Sequence, residues 1–132
     1  MKKVLFINGK SGRAKKSRDL TNLQEEARKQ NDLEVHLIQK GDDLPWLIKN
    51  YTRQGVKMFG VAGGDGTVNS VASCLVNSDV PLVVIPFGTL NHFARDIGVP
   101  SNLAQALRLF DEAEGTEMRI DVGEVNGNFF LN

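Results

Sequence analysis

Gly63-Gly64-Asp65-Gly66-Thr67 brings the means of holding an anion into five consecutive positions. Glycines allow positive φ and remove Cβ atoms that would block a close approach. With a helix N-terminus behind them, the exposed backbone N–H groups suit a phosphate. Thr67 can cap that helix or donate its hydroxyl to a phosphate oxygen. Asp65 is the odd member. A carboxylate repels phosphate unless it holds a magnesium ion, takes a proton or bonds a ribose hydroxyl. The alternative is a tight strand-to-helix turn in which Asp65 is solvated or capping. The spacing fits neither the Walker P-loop nor the GxGxxG dinucleotide fingerprint.

Two further turns carry similar chemistry. In Asn8-Gly9-Lys10-Ser11-Gly12-Arg13, Asn8 could bond a base or ribose, and Ser11 with the Gly12 amide a phosphate. Lys10 and Arg13 add positive charge, and a plain basic loop is the competing reading. In Pro86-Phe87-Gly88-Thr89-Leu90-Asn91, Thr89 or Asn91 can cap the next helix or reach a nucleotide. The remaining reactive residues say less. His36 falls in a strand and reads as a surface or sheet-face residue, while His92 stands beside the third turn and could line a site. The single cysteine, Cys74, lies in an apolar helical pattern and reads as a buried structural thiol. Trp46 and Phe93 read as packing residues. No His/Cys/Asp/Glu spacing resembles a metal site and no Ser–His–Asp set is evident.

All three turns must sit at strand ends for these groups to converge. The hydropathy pattern alternates strand and helix. Strands are predicted over Lys3–Ile7, Leu33–Ile38, Lys57–Ala62 and Pro81–Ile85. Helices are predicted from a Ser17 cap, from Asp42 or Asp43 with Pro45 in the first turn up to Gln54-Gly55, and after the glycine turn through Val68, Val71 and Leu75. Two more follow, around Leu90–Ile97 and from a Ser101 cap through Phe110. Glu117–Val125, Asn126-Gly127 and Asn128–Asn132 then read as a β-hairpin. Repeated β-α order implies an α/β fold, a parallel sheet with helices on both faces. In such a sheet ligands bind outside the carboxyl ends of the strands, where all three turns fall. The hairpin ends in mid-strand and needs a further partner, so the chain is expected to continue in the natural protein.

Composition sets the bounds. The chain has 132 residues, 41% hydrophobic and 24% charged, with zero formal net charge. That is one ordinary globular domain with no bulk charge for nucleic acid. The first 18 residues hold seven Lys/Arg and no acid, which suits a polyphosphate, an anionic membrane surface or plain solvation. No apolar run approaches the ~18 residues of a membrane span. The apolar stretch Val4–Ile7 is far too short for a signal peptide.

These stretches together resemble the diacylglycerol kinase catalytic-domain family, which includes sphingosine, ceramide and bacterial lipid kinases. Asn8–Gly12 resembles its N-P-x-S-G, Gly63–Asn69 its G-G-D-G-T-x-N, Pro86–Pro100 its P-x-G-T-x-N-D-F-A-R-x-x-G-x-P, and Asp121–Asn132 its D-x-G-x-V-N-G-x-x-F-x-N. The resemblance implies a three-layer, Rossmann-like N-terminal domain similar to those of NAD kinases and phosphofructokinases. It divides the chain into a nucleotide-binding α/β unit over 1–116 and the start of a β-rich domain over 117–132. It further implies ATP and Mg²⁺ as cofactors and transfer of the γ-phosphate to a lipid hydroxyl. The expected nucleotide contacts are Asn8, Ser11, Gly12, Gly63, Gly64, Asp65, Gly66, Thr67, Asn69, Thr89 and Asn91. Asp65 is the expected catalytic residue, through magnesium or proton transfer.

The expected setting is cytoplasmic, peripheral to a membrane that carries the lipid acceptor, with no nucleic-acid partner and with a homodimer left open. Four positions depart from the family pattern: Gly9 for Pro, Gln39 for a nucleotide-touching Thr, Ser70 for an acid, and His92 for an Asp of the metal network. Family members place further metal and acid/base residues in the second domain, so this chain alone is expected to be inactive or nearly so. The alternatives are an NAD-kinase-like enzyme and a non-catalytic nucleotide-binding module.

Overall fold

A computed structural model describes residues 2–10, 17–87, 103–110, 122–125 and 128–131. Its elements run β1 (Lys2–Ile7), α1 (Ser17–Arg28), β2 (Leu33–Leu37), α2 (Leu44–Arg53), β3 (Val56–Gly63), α3 (Asp65–Ser73) and β4 (Leu82–Pro86). There follow α4 (Leu103–Leu107) with a 3₁₀ turn at Arg108–Phe110, then β5 (Val122–Val125) and β6 (Asn128–Leu131). The strands β1–β4 form one parallel sheet in the order β2-β1-β3-β4, and β5 pairs antiparallel with β6 in a separate sheet. The expected helix near 90–97, the Ser101 cap and the Asn126-Gly127 turn lie outside the described residues.

Alternation along the strands divides the core in two. Val4 and Phe6 of β1, with Phe59 and Val61 of β3, face α2 and α3 and meet Ile48, Val68 and Val71. Leu5 and Ile7, with Met58 and Ala62, face α1 and α4 and meet Leu23, Ala27, Leu107 and Phe110. Both central strands are therefore apolar on both faces, as buried parallel strands must be. Gly60 sits where the second layer is tightest. A Cβ there would overlap the Phe110 ring, so the missing side chain is what lets Phe110 reach the sheet.

The predicted helix signals hold for α2. Asp43 is its N-cap and accepts from Trp46 N–H at 3.1 Å, and Pro45 lies in the first turn. Gln54 is the C-cap, and Gly55 follows at φ +97°, the left-handed residue that ends a helix. Trp46 departs from its reading as a packing residue: it is 59% exposed. Leu44, Leu47, Ile48 and Tyr51 already supply the buried face of α2, and Trp46 falls outside that stripe. No described helix is long and apolar enough to cross a membrane.

Candidate functional site

The strand order reverses direction at β1 and β3. The chain passes from β1 outward to β2, then crosses back to the other side of β1 to form β3. Loops leaving the carboxyl ends of these two strands diverge to opposite faces and open a crevice between them. Asn8 stands at the end of β1, its amide donating to Ala62 C=O at 2.9 Å. Gly64 stands at the end of β3 and caps α3 with extended backbone, φ −77° and ψ 179°. The two sides are joined across the crevice: Asn8 Nδ2 donates to Thr67 Oγ1 at 2.8 Å.

Thr67 is not the cap of α3. Gly64 is the N-cap, it has no side chain to offer, and Thr67 lies in the first turn. The first helical bond runs from Val68 N–H to Gly64 C=O at 3.0 Å, so the Gly66 and Thr67 amides precede the bonded ladder. Positive φ is not what the glycines of this turn supply. Among the described glycines it occurs at Gly41 and Gly55. The turn uses the missing Cβ atoms. At Gly63 a Cβ would stand 2.8 Å from Thr67 Cβ and 3.0 Å from its Oγ1, so the threonine lies over the end of β3. At Gly66 no described atom lies within 4 Å of the Cβ position. Internal packing accounts for the first glycine and leaves the second with open space before it.

Of the expected site residues, Asn8, Gly63, Gly64, Asp65, Gly66 and Thr67 come together at this edge. Asp65 opens α3, half-buried and engaged in an interaction of its own. Asn69 lies one turn further along, where its carbonyl accepts from Ser73 Oγ at 2.6 Å. Ser70 turns its hydroxyl back to Gly66 C=O at 3.0 Å. Ser11, Gly12, Thr89, Asn91 and His92 lie outside the described residues. No group of three or more His, Cys, Asp or Glu among the described residues could hold a metal ion by itself.

A second polar cluster was not anticipated from the sequence. His36 Nε2 lies 3.0 Å from Asp42 Oδ2, and its Nδ1 lies 3.3 Å from the Tyr51 hydroxyl. Phe6 packs edge-on against both rings. Gln39 N–H also donates to Asp42 Oδ2, at 2.8 Å. That backbone bond, followed by the one to His36, holds the Asp42 carboxyl below the ordinary aspartate value. Burial, reinforced by the Glu34 carboxylate, pushes the Tyr51 phenol up to about 12. The cluster ties β2 to the loop before α2 and is structural in its contacts. In β2 His36 shares a face with Glu34, while Tyr51 lies on the apolar face of α2, so no local signal in the sequence pairs them. Beside it, an open groove of about 590 Å³ runs between the start of α2 and α3, lined by Asp42–Pro45, Ser70, Ser73 and Cys74. Cys74 is half-buried, and burial raises its thiol above the ordinary range.

The family model of the diacylglycerol kinase catalytic domain matches residues 2–125. The chain belongs to that family. It is 35% identical over 133 residues to a probable lipid kinase YegS-like of Pseudomonas aeruginosa, covering 99% of this chain and 42% of that protein. Over 103 residues it is 42% identical to the Pseudomonas fluorescens counterpart, covering 76% of this chain and 33% of that one. A crystal structure of a diacylglycerol kinase from Bacillus anthracis superposes with a TM-score of 0.78 at 32% identity, covering 99% of this chain and 46% of that chain. The chain therefore spans less than half the length of these relatives. The α/β fold with its four-stranded parallel sheet is the one these kinases share.

Proposed function

We propose that this chain is the ATP-binding domain of a lipid kinase, and that the Asn8–Thr67 edge receives the nucleotide phosphates. The observation that carries the reading is the bonded junction of Asn8 with Thr67 at the sheet's switch point, in a chain of this family. The donors gathered there are the Gly66 and Thr67 amides and the Thr67 hydroxyl, and Gly66 leaves room for a close approach. Ser11, Gly12, Asn69, Thr89 and Asn91 belong to the same proposed contact set by their place in the family motifs. Residues 1–116 form the proposed nucleotide unit and 117–132 the start of a β-rich one, in line with the separate β5–β6 sheet.

Mg²⁺ fits as an ion brought by the nucleotide. Such an ion is usually held by phosphate oxygens, water and one or two carboxylates. Asp65 is the carboxylate at this edge, and it would face the ion or take the acceptor's proton. The ion neutralises charge on the transferring phosphoryl group; positioning supplies most of the rest. The acceptor is a lipid hydroxyl at a membrane surface, reached from the cytoplasmic side. Transfer is proposed for the protein carrying this domain with the parts its relatives possess, and the 132-residue chain by itself is proposed to bind without turning over.

Calorimetry of the chain with ATP and Mg²⁺ tests the reading, since absence of binding up to millimolar ATP would sink it. In the natural gene product, Asp65→Asn should lower lipid phosphorylation by at least about a hundredfold with folding intact. Activity within a few-fold of wild type would remove Asp65 from the mechanism. Phosphorylation of NAD in preference to diacylglycerol or long-chain bases would favour the NAD-kinase-like alternative.

A further inference from the structure

Two contacts of the Asn8 side chain have polarities that determine each other. Its Oδ1 accepts from Lys10 N–H at 3.0 Å, closing an Asx turn. A backbone N–H can only donate, so the carbonyl end of the amide must face Lys10. The amino end then faces Thr67 Oγ1 at 2.8 Å, and an amide nitrogen can only donate. The Thr67 hydroxyl is therefore an acceptor toward Asn8. A hydroxyl carries one proton, and that proton must lie away from the bond Oγ1 accepts. Among the described residues nothing accepts it. The threonine cannot easily swing elsewhere, because its Cβ and Oγ1 occupy the space left by the absent Cβ of Gly63.

We infer that Asn8 is a positioning residue that keeps the Thr67 hydroxyl proton free to donate at the crevice. The inference rests on the phosphate-binding reading above and gives Asn8 a role through Thr67 rather than through nucleotide contact. Threonine hydroxyls ordinarily donate or accept as the partner requires. Because it accepts from Asn8, Thr67 cannot spend its proton there and keeps it for a crevice ligand, beside the Gly66 and Thr67 amides, which only donate. These three protons are then available at the edge, beside the Asp65 carboxylate. They suit an ionised phosphate, whose oxygens only accept.

Asn8→Asp reverses the polarity while keeping both contacts. One carboxylate oxygen still accepts from Lys10 N–H, but the other draws the Thr67 proton to itself and leaves a lone pair facing the crevice. The added charge would also repel phosphate directly, so the test compares two backgrounds. ATP affinity is measured by calorimetry for wild type, Asn8→Asp, Thr67→Val and the double variant, with a melting temperature for each. Thr67→Val removes the proton at nearly constant shape and should weaken ATP binding about tenfold, the worth of one bond to a charged group. Asn8→Asp should cost more than about tenfold in wild type with its melting temperature retained, yet no more than about threefold in the Thr67→Val background. Thr67→Ala supplies a second hydroxyl-free background if valine perturbs the fold. An equal cost of Asn8→Asp in both backgrounds, or no cost in wild type, overturns the inference while leaving the phosphate site standing. Absence of ATP binding by wild type overturns both.

Discussion

Thr67 fills the space that a side chain on Gly63 would need, with its Cβ 2.8 Å from where the glycine's own Cβ would stand. Two residues four apart, one ending β3 and one in the first turn of α3, are thereby a single packing unit. Gly66, between them, has open space at its own Cβ position. The two glycines should respond oppositely to the same substitution. Gly63→Ala must displace Thr67 and should lower stability by about 1–3 kcal/mol, as overpacking does. Gly66→Ala should leave stability within about 1 kcal/mol of wild type, since alanine is the better helix former, and should weaken ATP binding. Denaturant unfolding and calorimetry on both variants check the pair. Equal effects on stability would mean that Gly66 is held by packing after all.

The Gly60–Phe110 contact places the 3₁₀ turn after α4 against the middle of the sheet. Phe110 is fully buried in the layer that includes Leu5, Met58 and Leu107. Phe110→Ala should cost about 3–5 kcal/mol by denaturant unfolding, a large part of the stability of a domain this size. A cost below about 1 kcal/mol would show that α4 does not close this face.

Asp42 links acid stability to the loop before α2. Its carboxyl titrates below the ordinary value of 3.8, because Gln39 N–H and His36 bond the ionised form. A lowered carboxyl stabilises the fold above its unfolded pKa, and that contribution disappears as pH falls through the folded one. Wild type should therefore be more stable than Asp42→Asn at neutral pH by a constant margin. The margin should shrink as pH drops below about 4. Thermal melts of both proteins across the acid range measure it. A margin independent of pH would mean that the carboxylate's charge does not matter.

Tyr51 makes the alkaline counterpart, and it is the chain's single tyrosine. Its phenol is raised to about 12, first by burial and then by the influence of the Glu34 carboxylate. A raised phenol supports the fold below its unfolded value near 10 and loses that contribution as pH climbs through the folded one. Ultraviolet titration of the phenolate band should show no ionisation near pH 10 while the protein stays folded. Glu34→Gln should lower the midpoint. A normal midpoint in folded protein would place Tyr51 in open solvent.

The α/β order, the four parallel strands and the helix caps around α2 were all legible in the sequence, because they depend on periodicity and on local signals a few residues long. Asp43, Pro45 and Gly55 act within one turn of where they stand, so position and residue type suffice to read them. The gathering of Asn8 with Gly63–Thr67 was legible as far as topology goes, since parallel strands bring their carboxyl ends to one edge. Family motifs added which residues to watch. Other features needed the folded chain. Trp46 looked like core, and only the completed apolar face of α2 shows that it is not needed there. His36, Asp42 and Tyr51 are up to 15 positions apart, and no local pattern pairs them.

The amide of Asn8 shows the division at its sharpest. Residue type alone made it a donor and an acceptor near a phosphate-binding turn. The Asx turn to Lys10 and the bond across 59 positions to Thr67 decide which end points where. Hydrogen-bond polarity belongs to the arrangement of partners in space, and a sequence lists the groups without orienting them.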